Sequence, residues 1–437
     1  TINYTGGGVP TSAAQYGEYL YLCNGGAVYR LLRVADTNWT CTAVTFLPAL
    51  TIPTISSVTG TAGGASLSYQ TPAISAAGEE TNASATVTNA ALVLPAAATP
   101  VTVTWAAITG ASFYNVYRVL NGVAGYVGVS SGTTFIDLGY VPDFNTHPPY
   151  AVIDLSSANN YPYVTFSTQQ RLCFANTANN PSSIWMSRTG FPLNFVESNV
   201  DASDPLDITV AINDSRHIIS GATNLGGTIL FTSQGILSLN GDSSDGPISP
   251  LAGGVNIRTL SSTGMYGTPA IGRYIGSGTT AMYVSYTGKA IHAINYDSLR
   301  GFGDSDLSYW NTEETANVVG YTKSPNSMVW TLAQNNTDYR CMTYLPGQEV
   351  QAWHSHDQYY NGANYGYGIS SFIEIEDSVG NSSMLFYFQA SASTGLLATQ
   401  RVSLSTSTSA QPDCYRDFAL IHADNDGPFS AAKYEMP

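Results

Sequence analysis

Charge is what this sequence has least of. Only 10% of its 437 residues are Asp, Glu, Lys or Arg, against roughly 25% in an ordinary soluble domain. The surface must therefore be covered largely by Ser, Thr, Asn, Gln and Gly. Colloidal solubility leans on charge, so the composition suits a chain packed against neighbours. Bases are the scarcer sign: three lysines (Lys289, Lys323, Lys433) stand beside scattered arginines, and the net charge is −15. Proteins that grip DNA neutralise phosphates with clustered Lys and Arg. With no such cluster here, tight nucleic-acid binding is excluded, and the chain is expected to repel phosphate backbones.

Paired cysteines are missing as well. Cys23, Cys41, Cys173, Cys341 and Cys414 are far apart and odd in number, and none forms a C-x-x-C pair. Neither a disulfide framework nor a zinc site is signalled, and a reducing compartment is expected. No segment reads as a signal peptide or a membrane-spanning helix. The apolar stretch from Ala90 to Ile108 is interrupted by Pro95 and Pro100, and Val101–Trp105 alternates with the period of a strand. The abrupt start at Thr1 and end at Pro437 suggest a chain incomplete at one or both ends. Helical periodicity is nearly absent.

What is present is one device used repeatedly: a short apolar run, a polar Gly/Asn/Ser turn, and a second apolar run. Glu18–Val34, Arg171–Ser187, Thr228–Asn240, Ala281–Tyr296, Met328–Trp353 and the run from Met384 onward all follow it. The last five begin about 47–57 residues apart, close to the spacing of kelch-type propeller blades. Aromatics at 11%, with 29 tyrosines, favour strands. The expected fold is all-β, a β-propeller body whose blades have hydrophobic central strands and a more polar edge. An irregular assembly of β-sandwiches is the alternative.

A different module lies between the first hairpin and the second. Trp105, Gly110-Ala111, Tyr114-x-Val-Tyr-Arg118 and Phe135-x-Asp137 follow in order, and the series is similar to a fibronectin type III β-sandwich. That resemblance implies core positions for Trp105 and Tyr114, and the Gly78-Glu79-Glu80 turn fits it. Three segments are expected: 1–50 as N-terminal propeller strands, 51–145 as the inserted sandwich, and 146–437 as the propeller body.

From Tyr161 the chain reads YPYVTFSTQQRLCFANTANNPSSIWMSRTGFPLNF. The Tyr161-Pro162 start, Gln169-Gln170-Arg171-Leu172, Phe174-Ala175, Ile184-Trp185-x-Ser187-Arg188 and Asn194-Phe195 form an ordered series. It continues through Leu206-Asp207-Ile208, Phe231-Thr232-Ser233-x-Gly235, Leu239-x-Gly241, Tyr266-Gly267, Asp306-Leu307-Ser308 and Val350–His354. This series resembles the tail-hub, or nozzle, proteins of short-tailed bacteriophages, also called packaged-DNA stabilisation proteins. The resemblance covers about residues 149–356 and is weak outside them.

It implies a structural virion protein and not an enzyme: a homo-oligomer, expected as a six-fold ring, below the portal adaptor in the tail. Such a ring would retain packaged double-stranded DNA, conduct it during ejection and anchor tail fibres or spikes, with no cofactor. Asp201, Asp204, Asp207, Asp242, Asp245, Asp304 and Asp306 are the candidates to face its channel, where acids would let phosphates slide past.

Catalytic patterns are weak. Gly128-Val-Ser-Ser-Gly132 matches the nucleophile-elbow string, but in a hairpin and without a nearby histidine. His354-Ser-His356-Asp357 could offer metal ligands from one strand face. Asp424-Asn-Asp426-Gly427 opens like a calcium loop, yet its glycine comes two places early and Pro428 occupies a ligand position. No catalytic or metal residue is therefore assigned. A carbohydrate-binding or glycoside-hydrolysing propeller is the alternative function. Glu313-Glu314 and Glu374-x-Glu376 are its candidate acid pairs, and the scattering of the arginines counts against a sialidase.

Overall fold

The computed structural model describes residues 10–35, 38–46, 50–76, 78–210, 217–224, 227–242, 246–269, 274–277, 280–288, 290–297, 301–309, 329–334, 338–345, 350–356, 368–376, 382–389 and 397–403. They contain strands and no helix. The chain divides into two compact units, Thr1–Thr259 and Leu260–Pro437.

The first unit opens with a four-stranded antiparallel meander, β1 (Ser12–Tyr16), β2 (Tyr19–Cys23), β3 (Tyr29–Ala35) and β4 (Asn38–Ala43), paired in that order. A β-sandwich follows. One of its sheets runs β11 (Val123–Ser130), β10 (Ala111–Leu120), β6 (Ala62–Gln70), β8 (Val87–Leu92), with the short β7 (Ala73–Ser75) also on β10. The other runs β12 (Thr134–Asp137), β9 (Val101–Trp105), β5 (Ile55–Thr59). Strict alternation explains β9: Val101, Val103 and Trp105 are buried while Thr102 and Thr104 are not. Asn121-Gly122 turns β10 into β11 with both residues at positive φ, the conformation that a two-residue hairpin needs.

After a small ribbon, β13 (Ala151–Val152) with β17 (Val196–Glu197), comes a second meander: β14 (Val164–Thr168), β15 (Arg171–Ala175), β16 (Ser183–Met186), β18 (Leu206–Thr209). The third is β19 (Ile218–Asn224), β20 (Gly227–Thr232), β21 (Gly235–Asn240), β22 (Asn256–Ser261).

The second unit repeats the device as β23 (Tyr274–Ser277), β24 (Thr280–Val284), β25 (Ile291–Asp297), β26 (Gly301–Asp306). Three-stranded β27 (Val329–Gln334), β28 (Asp338–Leu345), β29 (Val350–His356) follows. Last is β30 (Gly368–Glu376), β31 (Ser382–Gln389), β32 (Leu397–Ser403).

The fold is thus all-β, a succession of antiparallel meanders with a sandwich inserted after the first. The described parts of all six apolar hairpins of the sequence lie within these meanders. The central strands β15, β16 and β21 are buried along their whole length, whereas the outer strand β22 is largely exposed. A strand covered on both faces loses its alternation, and β15 shows why. Cys173 and Ala175 pack towards the third meander with Ile184, Leu230 and Leu237. Leu172 and Phe174 pack the opposite way, with Tyr21, Cys23, Trp185 and Phe195. Phe46, Phe174 and Phe195 pack as a trio with centroids 5.5–5.7 Å apart. The sandwich has its own core, in which Trp105 and Tyr114 are both buried, 5.3 Å between ring centroids.

Candidate functional site

A densely bonded polar group in the first unit is the tip of the β14–β15 hairpin, Gln169-Gln170-Arg171. Two-residue hairpins favour positive φ at both loop positions, and Gln169 (φ 45°) and Gln170 (φ 58°) adopt it without being glycine. The gain is in their bonds. Gln169 Oε1 accepts the Ile248 N–H at 2.7 Å and its Nε2 donates to Gly246 O at 3.3 Å, both beyond β21. The Gln170 carbonyl accepts the Tyr16 hydroxyl, from the first meander, at 2.9 Å.

Arg171, only 1% exposed, spends its guanidinium on carbonyls. Nη1 donates to Ser187 O and Asp204 O, and Nη2 to Ala202 O, each at 2.7 Å. Nη2 also lies 3.4 Å from Ile248 O. A planar fork can satisfy several acceptors at once, which a lysine cannot. One turn therefore fastens three successive meanders. The Thr168 and Thr228 hydroxyls, 2.6 Å apart, add a further tie between β14 and β20.

Other members of the ordered series from Tyr161 also serve as fastenings. The Pro162 carbonyl accepts Gly25 N–H, while the Tyr163 ring covers Gly25, where a Cβ would fall 2.1 Å from it. Asn194 Oδ1 caps Val196 N–H. Thr232 donates to Gly235 O across the β20–β21 turn at 2.6 Å.

The acidic turn of the sandwich lies within electrostatic reach of Arg188, which follows β16. Glu80 Oε1 accepts Asn115 Nδ2 at 2.8 Å and the Tyr117 hydroxyl at 3.1 Å. Burial raises the Glu80 carboxyl above its ordinary value, opposed in part by the hydrogen bonds from Asn115 and Tyr117 and then by Arg188. Burial likewise pushes Glu79 up to about 7, again against the pull of Arg188. Arg188 in turn lies 3.9 Å from Asp201 and 4.0 Å from Asp204. Within the sandwich, Arg118 pairs with the fully buried Asp137 at 2.8 Å, and Tyr69 donates to the same carboxylate at 2.7 Å. The Tyr-x-Val-Tyr-Arg and Phe-x-Asp strings thus supply the two halves of one buried ion pair.

The channel candidates are not alike. Asp201, Asp207 and Asp242 are exposed. Asp204 is a correction: it is 3% exposed and faces no open surface. Its Oδ2 accepts Ser198 Oγ at 2.5 Å, Val200 N–H at 3.0 Å and Asp201 N–H at 2.9 Å, so it organises its own loop. Asp306 accepts the Ser308 N–H and hydroxyl, both at 2.8 Å. Asp304 accepts Ser261 Oγ at 2.5 Å and lies 3.0 Å from His292 Nδ1. Burial works against the charged forms of both partners, yet the hydrogen bonds between them prevail, lowering Asp304 and raising His292. Asp245 lies outside the described residues.

Ser130 of the G-x-S-x-G string donates to Thr134 O at 2.8 Å and accepts Gly132 N–H at 3.1 Å, closing the turn after β11. The side chains of His354, His356, Glu374 and Glu376, together with Asp357, Glu313, Glu314 and the 424–435 stretch, lie outside the described residues. Among the described residues no three His, Cys, Asp or Glu side chains are grouped to hold a metal ion. No helix there is long and apolar enough to cross a membrane. The seam formed by Gln169 and Arg171 was not singled out by sequence reasoning as a site, although the QQRL string was its signal.

No protein-family model matches the chain, and no curated protein matches it. Among solved structures it is similar to a candidate 6-phosphogluconolactonase from Bacteroides uniformis, at 12% identity and TM-score 0.34, over 82% of this chain and 95% of that one. A second such protein, from Bacteroides fragilis, is 9% identical with TM-score 0.31, over 77% and 94% of the two chains. Sqt1 from Chaetomium thermophilum is 10% identical with TM-score 0.34, over 69% and 66%. Likeness at this level carries no argument about function.

Proposed function

We propose that the chain is a structural subunit of a bacteriophage tail hub. It forms a ring below the portal adaptor, conducts double-stranded DNA and anchors fibres or spikes. The observation that carries this reading is the clasp at Gln169-Gln170-Arg171, in which Arg171 is buried beneath two exposed glutamines. Gln169, Gln170 and Arg171, which belong to the series resembling the hub proteins, bond across to neighbouring meanders. A duct wall that must bear packaged DNA needs seams that do not slip, and a guanidinium shared among buried carbonyls resists slippage because every broken bond leaves an unsatisfied group. The exposed acids Asp201, Asp207 and Asp242 fit a surface that repels phosphates.

The test is electron microscopy of the protein with and without the portal–adaptor complex of its virion, classified for rotational symmetry. A hollow ring, or copies capping the adaptor in register, is the expected result. Monomers under both conditions would overturn the reading and redirect attention to sugar binding and glycosidase assays.

A further inference from the structure

The outer half of the first meander is built unlike an ordinary sheet edge. In β3 the last three residues are exposed, and in β4 all but Cys41 are. Among the described residues β4 pairs with β3 alone. Exposed edges are normally blunted by lysine, proline or a bulge in the edge strand. β4 (Asn-Trp-Thr-Cys-Thr-Ala) has neither lysine nor proline, and the irregularity in the pair, at Val34, lies on the β3 side. The ribbon carries Val34, 57% exposed, and Trp39, 43% exposed. Arg33 lies over the Trp39 ring at 5.9 Å and Arg30 over the Tyr19 ring at 4.8 Å. Trp, Tyr and Arg are the residue types in which protein–protein interfaces and their hot spots are rich.

Charge indicates the occupant. Arg118 and Arg171 are buried, and Arg188 sits against Asp201 and Asp204. The partly exposed Arg30 and the exposed Arg33 put two cations on one ribbon of a chain with net charge −15, while the exposed Arg258 stands singly on β22. Among the charged groups exposed on another copy, acids such as Glu18, Asp143, Asp154, Asp201 and Asp207 prevail.

We infer that the β3–β4 ribbon is the arm by which one copy of this chain docks on the acidic surface of the next. Ribbon-to-ribbon pairing would bring four arginines together and is disfavoured. The contact is therefore between two different surfaces, and such heterologous contacts generate rings when their rotation closes. This deepens the proposed function, on which it rests, by naming the surface that builds the ring.

The test uses the full-length chain as wild type, as Arg30→Glu/Arg33→Glu and as Trp39→Ala, followed by sedimentation velocity and negative-stain microscopy over a range of concentration and salt. The substitutions are at a surface ribbon, so circular dichroism and melting should be unchanged. Self-association should weaken at least tenfold in either variant, and in wild type it should weaken as salt rises. Amide exchange across residues 38–43 should slow when the wild type assembles. Wild-type assembly with variants that assemble equally well, or with no protection of β4, overturns the inference and leaves the hub reading standing. A wild type that stays monomeric alone and with the adaptor overturns both.

Discussion

Arg171 shows how much one side chain can hold when its surroundings are dry. Replacing it with Leu leaves the carbonyls of Ser187, Ala202 and Asp204 without their 2.7 Å donors. Each orphaned buried group costs roughly 1–3 kcal/mol, so a loss of at least about 3 kcal/mol is expected by urea unfolding. Arg171→Lys should recover only part of it, because one ammonium cannot reproduce the fork.

The neighbouring glutamines separate backbone strain from bonding. Gln170 keeps its positive φ without a side-chain hydrogen bond like those of Gln169, so Gln170→Gly should stabilise by roughly 0.5–1 kcal/mol. Gln169→Gly relieves similar strain but loses both bonds to the 246–248 segment and should destabilise in the same assay. Glu79 carries a pH signature. Its folded value of about 7 lies above the ordinary 4.5, so between these values the folded chain keeps a proton that the unfolded chain has lost. Stability therefore falls as pH rises from about 4.5 to 7. Glu79→Gln should flatten that fall and raise the melting temperature at pH 8, read by thermal melts across pH 4–8.

At the scale of elements, the sandwich strands pack around an unsatisfied group. Trp105 is 2% exposed, and its indole N–H has no acceptor among the described residues. Trp105→Phe loses volume but removes that buried donor, and the two effects offset. A change within about 1 kcal/mol is expected, against about 3–5 kcal/mol for Trp105→Ala, both measured by denaturant unfolding.

For the whole molecule, the sandwich core draws only on residues between Leu50 and Phe135, and its buried Arg118–Asp137 pair is internal. A domain with its own core folds alone, so residues 50–145 expressed by themselves should unfold in a single cooperative transition. A segment that stays unfolded would show that it depends on the body.

Strand period and turn chemistry are local, so the sequence by itself determined the all-β class, the paired apolar runs of each meander and the aromatic core of the sandwich. Val101–Trp105 alternates because one face of β9 is buried, and Asn121-Gly122 marks its hairpin because few other pairs tolerate that turn. The partners of side chains distant along the chain were settled only by the tertiary structure. Asp204 reads like any other acid in its Asp-rich stretch, yet it is buried because its own loop offers it N–H groups and Arg188 lies beside it. Arg171 and Ile248 are 77 residues apart, and nothing in either segment announces the other. The apolar residues of β15 look uniform in sequence because they are divided between two cores. Only the packing of neighbouring sheets determines which residue belongs to which.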